Sequence, residues 1–157
     1  MSDARQFVTW VDVERMVARL LEQIRGDYDN LMVITRGGMV PACLISERTG
    51  IRNILCAAVV FYEKSERVYP EPKFVQFPED HQVTGRRILV VDDVWDTGGT
   101  IVAVRDRLRQ AGASVEVAVL HWKPMRSRFA TEQPDYHAEK TEAWIVYPWD
   151  PELPLGG

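Results

Sequence analysis

Ile88-Leu89-Val90-Val91-Asp92-Asp93-Val94-Trp95-Asp96-Thr97-Gly98-Gly99-Thr100 is the stretch on which the reading of this chain turns. Arg87 to Val91 is an apolar run of strand length. Thr100 to Ala111 has helical spacing, with Ile101, Val104 and Leu108 on one face and Gly112 as a C-terminal stop. Asp92 to Gly99 is therefore expected to be the loop that joins a strand to a helix. Two carboxylates side by side repel, and burial or repulsion raises a pKa unless a cation or hydroxyl donors relieve them. A hard cation such as magnesium, with sugar hydroxyls, would do so. In Thr97-Gly98-Gly99-Thr100 the glycines let backbone amides turn inward at a helix N-terminus, and the threonine hydroxyls add donors. That is a cradle for a dianionic phosphate. Thr-Gly-Gly-Thr alone also reads as an ordinary strand-to-helix turn, with Asp96 or Thr97 as N-cap. The apolar strand, the acidic pair and Asp96 in front of it favour a phosphorylated ribose.

The rest of the chain repeats this strand-then-helix rhythm. Val13, Met16, Val17, Leu20, Leu21 and Ile24 lie at helical spacing, which predicts an amphipathic helix over Trp10 to Arg25. Leu31 to Thr35 reads as a strand running into the turn Arg36-Gly37-Gly38, and Val40 to Arg48 as a helix with Pro41 in its first turn. Ile54 to Tyr62 and Ser114 to His121 are further strands, and Ala143 to Tyr147 a short one before a Pro-rich tail. Between Glu63 and Gly85 the pattern fails, apart from a weak Phe74 to Phe77 run able to pair as a hairpin; a loop this long suits a lid. Alternating strands and helices imply an α/β protein with a parallel sheet and helices on both faces. Ligands of such sheets sit beyond the carboxyl ends of the strands, where Arg36-Gly37-Gly38, Asp92 to Thr100 and His121-Trp122-Lys123-Pro124 fall.

The 157 residues fit one domain, and the hydrophobic share of 46% and charged share of 27% are those of an ordinary globular protein. A net charge of −4 speaks against a general nucleic-acid binder. Cys43 and Cys56 lie in apolar stretches and read as buried thiols in a reducing compartment, with a disulfide left open. The first residues lack a signal-peptide core, and the longest apolar run is too short for a bilayer, so a cytoplasmic location without membrane partner is expected. No Lys follows the glycines, which excludes a Walker A loop, and no G-x-G-x-x-G occurs. His81, His121 and His137 lack metal-ligand spacing. Arg105, Arg107, Arg109, Arg126 and Arg128 read as solvated surface or subunit contacts.

The segment from Ile88 to Thr100 resembles the phosphoribosyl-pyrophosphate (PRPP) motif of type I phosphoribosyltransferases. Val33-Ile34-Thr35-Arg36-Gly37-Gly38-Met39-Val40-Pro41 resembles the pyrophosphate loop of the bacterial xanthine-guanine branch. Trp122-Lys123-Pro124 and Trp144-Ile145-Val146-Tyr147-Pro148-Trp149 resemble its purine-binding elements. The resemblance implies a Rossmann-like parallel sheet flanked by helices in a single domain over 1–157, with a lid near 63–85 and a small C-terminal hood near 122–157. It implies a magnesium-dependent transfer of phosphoribose from PRPP to a 6-oxopurine such as hypoxanthine, guanine or xanthine. Asp92 and Asp93 would then hold the ribose hydroxyls and the metal, and Asp96 would act as general base. Thr97, Gly98, Gly99 and Thr100 would hold the 5′-phosphate, and Arg36 and Gly37 the pyrophosphate, with a cis peptide before Arg36. Lys123 would meet the 6-oxo group, Trp144 would stack on the purine and Ile145 would read its 2-position. Lys64, Arg67 and Lys73 are the lid candidates, although the family's Ser-Tyr pair is missing after Phe61-Tyr62. A homodimer or homotetramer follows from the same likeness. A PRPP-binding regulator, or a transferase for another base, is the alternative.

Overall fold

The computed structural model describes residues 4–62 and 71–155. The chain runs β1 (Arg5–Phe7), α1 (Trp10–Gln23), β2 (Asn30–Ile34), α2 (Met39–Thr49), β3 (Ile54–Tyr62), β4 (Glu71–Gln76) and α3 (Asp80–Val83). It continues through β5 (Arg87–Trp95), α4 (Gly99–Gln110), β6 (Ser114–Trp122), β7 (Tyr136–Lys140) and β8 (Trp144–Val146). Six strands form one sheet in the order β4-β3-β2-β5-β6-β7, and β1 pairs with β8 in a separate two-stranded ribbon.

The apolar strands are explained by burial on both faces. In β2, Leu31 and Val33 pack with the α1 residues Val13, Met16, Val17 and Leu20, together with Ala42 and Ile45 of α2. The alternate residues Met32 and Ile34 pack on the other side with Ile101, Val104 and Leu108 of α4. Leu89 and Val91 of β5 divide from Ile88 and Val90 in the same way. Helix α1 starts where Thr9 and Asp12 form a capping box: the Asp12 N–H donates to Thr9 Oγ1 at 3.1 Å and the Thr9 N–H to Asp12 Oδ2 at 2.9 Å.

Several expectations need correction. The sheet is not wholly parallel, because β4 runs antiparallel to β3 at its edge, with Val59 opposite Phe74. That hairpin is the one its weak Phe74 to Phe77 run allowed. With β4 and α3 present, most of 71–85 is structured, and the candidates Lys64 and Arg67 lie outside the described residues. Strand β5 does not stop at Val91: Asp92 pairs with Val119, Val94 with His121 and Trp95 with Trp122, so β6 carries the acidic pair on a strand. Strands β1 and β7 were not expected, since neither has an apolar run. Cys43 is exposed and Cys56 partly buried, and both are free thiols; α2 turns Pro41, Ala42 and Ile45 inward and leaves Cys43 outside. Arg105 is buried, paired with Asp106 and Glu132. Among the described residues no helix is long and apolar enough to cross a membrane.

Candidate functional site

The carboxyl ends of β2, β5 and β6 bring the three marked segments together. After β2 the Thr35–Arg36 peptide is cis, as the resemblance implies, and the chain turns through Gly37 and Gly38 into α2. A Cβ at Gly37 would meet the Asp93 carboxylate, which would have to shift to admit it. At Gly38 a Cβ would meet the carbonyl oxygens of Val91 and Ile34. The turn that carries Arg36, which is exposed at the rim, thus lies directly against the acidic pair.

Asp92 is 8% exposed and Asp93 half-buried. Burial, and after it the neighbouring Asp93 charge, pushes the Asp92 carboxyl well above the usual carboxylate range; burial also raises Asp93. The Asp93 N–H donates to Asp92 Oδ1 and the Val94 N–H to Asp93 Oδ1, both at 2.8 Å. The Tyr147 hydroxyl donates to the Asp93 backbone carbonyl at 3.1 Å and shares a 2.8 Å hydrogen bond with Nδ1 of buried His121. Burial holds His121 below its ordinary value. The Tyr147 ring stacks on Trp149 with centroids 4.7 Å apart, and its hydroxyl bond to the Asp93 carbonyl joins this C-terminal segment to the acidic pair.

Beyond Trp95 the chain forms the cradle at the start of α4. Asp92, Asp93, Asp96 and Thr97 to Thr100 line a cleft of about 160 Å³. Gly98 adopts a φ of 84°, in the left-handed region, and its α-carbon lies so close to the Trp95 indole that a Cβ would collide with it. The Gly99 N–H reaches Thr97 Oγ1 at 3.4 Å. Larger hollows of about 410 and 510 Å³ lie at the opposite end of the sheet, around Asn30, Arg52 and Asn53. They hold none of these groups.

The third wall is the segment after β6. The Lys123 N–H donates to the Trp95 carbonyl at 2.9 Å, and the buried lysine side chain sends Nζ to 3.4 Å from Asp96 Oδ2. The same Nζ stands 6.0 Å from the centre of the Trp144 ring, which is 55% exposed, while Ile145 beside it is buried. Arg126 Nε donates to Asp96 Oδ1 at 2.5 Å. Arg126 is exposed, as a surface arginine is expected to be, yet it also pairs with Asp96; it stands three residues after Lys123 in one tight turn, which is the signal that could have found that contact. Tyr147 and His121 lie in two of the segments the sequence marks, but nothing local in the sequence marks their bond to each other or to Asp93.

A family model described as phosphoribosyl transferase domain matches residues 4–154. The chain belongs to that family. It is 32% identical to a xanthine-guanine phosphoribosyltransferase of Gluconobacter oxydans, over 91% of this chain and 83% of that one. A protein of the same name from Idiomarina loihiensis is 32% identical over 99% of this chain and 96% of its own. Among solved structures, a purine phosphoribosyltransferase from Pyrococcus horikoshii superposes with a TM-score of 0.82 and 31% identity, covering 96% and 97% of the two chains.

Proposed function

We propose that this phosphoribosyltransferase transfers the phosphoribosyl group of PRPP to a 6-oxopurine, giving a nucleoside monophosphate and pyrophosphate. The observation that carries this reading is the pairing of a buried lysine donor and a carboxylate acceptor, 3.4 Å apart, beside the exposed face of Trp144. A 6-oxopurine presents the complementary edge: an oxo acceptor beside an imidazole N–H donor. Adenine carries an amino group where Lys123 needs an acceptor. The names of the relatives, xanthine-guanine and purine phosphoribosyltransferase, support the same substrate class.

In this reading the imidazole nitrogen remote from the oxo group attacks the anomeric carbon of PRPP. The bond from that carbon to pyrophosphate breaks, and pyrophosphate departs with the electron pair. The proton on the nitrogen beside the oxo group passes to Asp96. Thr97, Gly98, Gly99 and Thr100 hold the 5′-phosphate through amides and hydroxyls, and Arg36 with Gly37 meets the pyrophosphate. Trp144 stacks on the base and the Ile145 backbone faces its 2-position. Catalysis is then mainly positional and electrostatic.

The donor set suits magnesium. Asp92 and Asp93 are adjacent oxygen donors whose carboxyls burial raises, and among the described residues no third His, Cys, Asp or Glu joins them. The remaining coordination would come from PRPP oxygens and water. Bound there, the cation would neutralise charge on the ribose hydroxyls and pyrophosphate. Free base and PRPP as substrates suit a cytoplasmic enzyme, and exposed Trp10 and Val11 on α1 suit a homodimer or homotetramer.

The experiment is a substrate panel. With PRPP and magnesium, hypoxanthine, guanine or xanthine is expected to yield its nucleotide, and adenine far less. No nucleotide from any of the three overturns the reading.

A further inference from the structure

Asp96 is held from two sides by two different cations. Lys123 approaches Oδ2, and its Nζ also stands next to Trp144, so that oxygen faces the base slot. Arg126 approaches the other oxygen, Oδ1, from a side chain that is 54% exposed at the rim. The turn carrying Arg126 is fastened on every side. Lys123 N–H bonds to the Trp95 carbonyl at 2.9 Å and Arg128 N–H to the Thr97 carbonyl at 2.9 Å, so the brace grips the chain just before and just after Asp96. Within the turn, the Arg126 N–H reaches the Lys123 carbonyl at 3.2 Å. The Trp95 indole N–H donates to Ser127 Oγ at 3.1 Å, and the Met125 N–H to Glu142 Oε1 at 3.0 Å.

We infer that Arg126 is the positioning residue for Asp96: its Nε–H bond to Oδ1 sets the rotation of the carboxylate, so that Oδ2 stays beside Lys123. The inference rests on the transfer reaction proposed above. The terminal torsion of an aspartate is broad, so an unbraced carboxylate would swing through many orientations. A guanidinium corrects this well, since its planar N–H groups are rigid and permanently charged. Arg126 lies on the oxygen away from the slot and acts through Asp96 rather than on the substrate. Misplacing a reacting group by about 1 Å can cost on the order of 10²-fold in rate, which sets the scale of the expected effect.

The test compares Arg126→Ala, Arg126→Lys, Asp96→Asn and the Asp96→Asn/Arg126→Ala double variant, assayed with PRPP, magnesium and guanine. Arg126→Ala is expected to lower kcat about tenfold or more, with the KM for PRPP within about twofold of wild type. Arg126→Lys recovers part of the loss. In the Asp96→Asn background, Arg126→Ala adds less than about twofold, because the arginine works through that carboxylate. Melting temperatures check that each variant folds. Unchanged kcat, equal losses in both backgrounds, or faster turnover with a lower KM for guanine would each overturn the role, the last by making Arg126 a cover over Asp96. A second measurement needs no turnover: the 13C resonance of the Asp96 carboxyl carbon, identified by its loss in Asp96→Asn, should move in Arg126→Ala. An unmoved resonance with normal wild-type turnover overturns the role of Arg126 alone. Absence of wild-type turnover overturns the reaction itself.

Discussion

Strands β5 and β6 carry a charged cluster at each end, and the two clusters follow opposite rules. At the amino end, Glu116 accepts from Arg87 at 2.9 Å, Tyr28 at 3.1 Å and Tyr136 at 2.7 Å. Burial pushes the Glu116 carboxyl up, but these donors outweigh it and hold it below its ordinary value. Burial, with the Tyr136 bond next, raises Tyr28, which keeps its hydroxyl a donor. At the carboxyl end of the same strands, Asp92 and Asp93 receive backbone N–H groups, and both carboxyls are raised. Matched charge at one end stabilises the fold. At the other end burial raises both carboxyls, so their ionisation costs stability and their oxygens are available to a ligand, a usual mark of a functional site.

The contrast can be broken by substitution. The largest effect is expected for Asp96→Asn, which should lower turnover by about 10²–10⁴-fold while PRPP binding, followed by calorimetry, stays largely intact. Asp92→Asn should weaken PRPP binding by about tenfold to a hundredfold, the cost of one or two hydrogen bonds to a charged group. The same variant should melt higher at pH 8, by about 2–4 °C for each kcal/mol recovered. Its sign follows from linkage. Asp92 is raised in the folded state above its ordinary 3.8, so the folded protein binds the extra proton and loses stability as pH rises through that window. Below 3.8 both states are neutral, and the gain from Asp92→Asn should vanish there. A lower melting temperature at pH 8 would mean that the acidic pair is matched after all.

Gly37→Ala sharpens the same end. Its Cβ would press on the Asp93 carboxylate, so the KM for PRPP should rise several-fold, by about 1 kcal/mol of lost binding, with a smaller change in kcat. At the opposite end, Glu116→Gln should cost about 1 kcal/mol, lowering the melting temperature by roughly 2–4 °C, and leave kcat within about twofold. A large loss of activity from Glu116→Gln would show that the two ends are coupled along the strands.

Local patterning carried much of this protein. The periodicity of Val13 to Ile24 and of Ile101 to Leu108 marks helices, and the apolar runs of β2, β3, β5 and β6 mark strands, because burial repeats at 3.6 or 2 residues along the chain itself. Asp92, Asp93, Asp96 and Thr97 to Thr100 were legible as one cluster, and they do line one cleft, for the same reason: their chemistry is contiguous. Other features depend on partners far away in the chain. The acidic pair lies on a strand because β6 supplies backbone partners as far as Trp122. Strands β1 and β7 are too polar or too short to declare themselves and form only by pairing with β8 and β6. Arg126 reaches Asp96 across 30 positions, and Tyr147 reaches Asp93 across 54. Hydrogen bonds between side chains so separated depend on chain direction and strand order, which no local periodicity encodes; only the folded sheet brings them within 3 Å or so of each other.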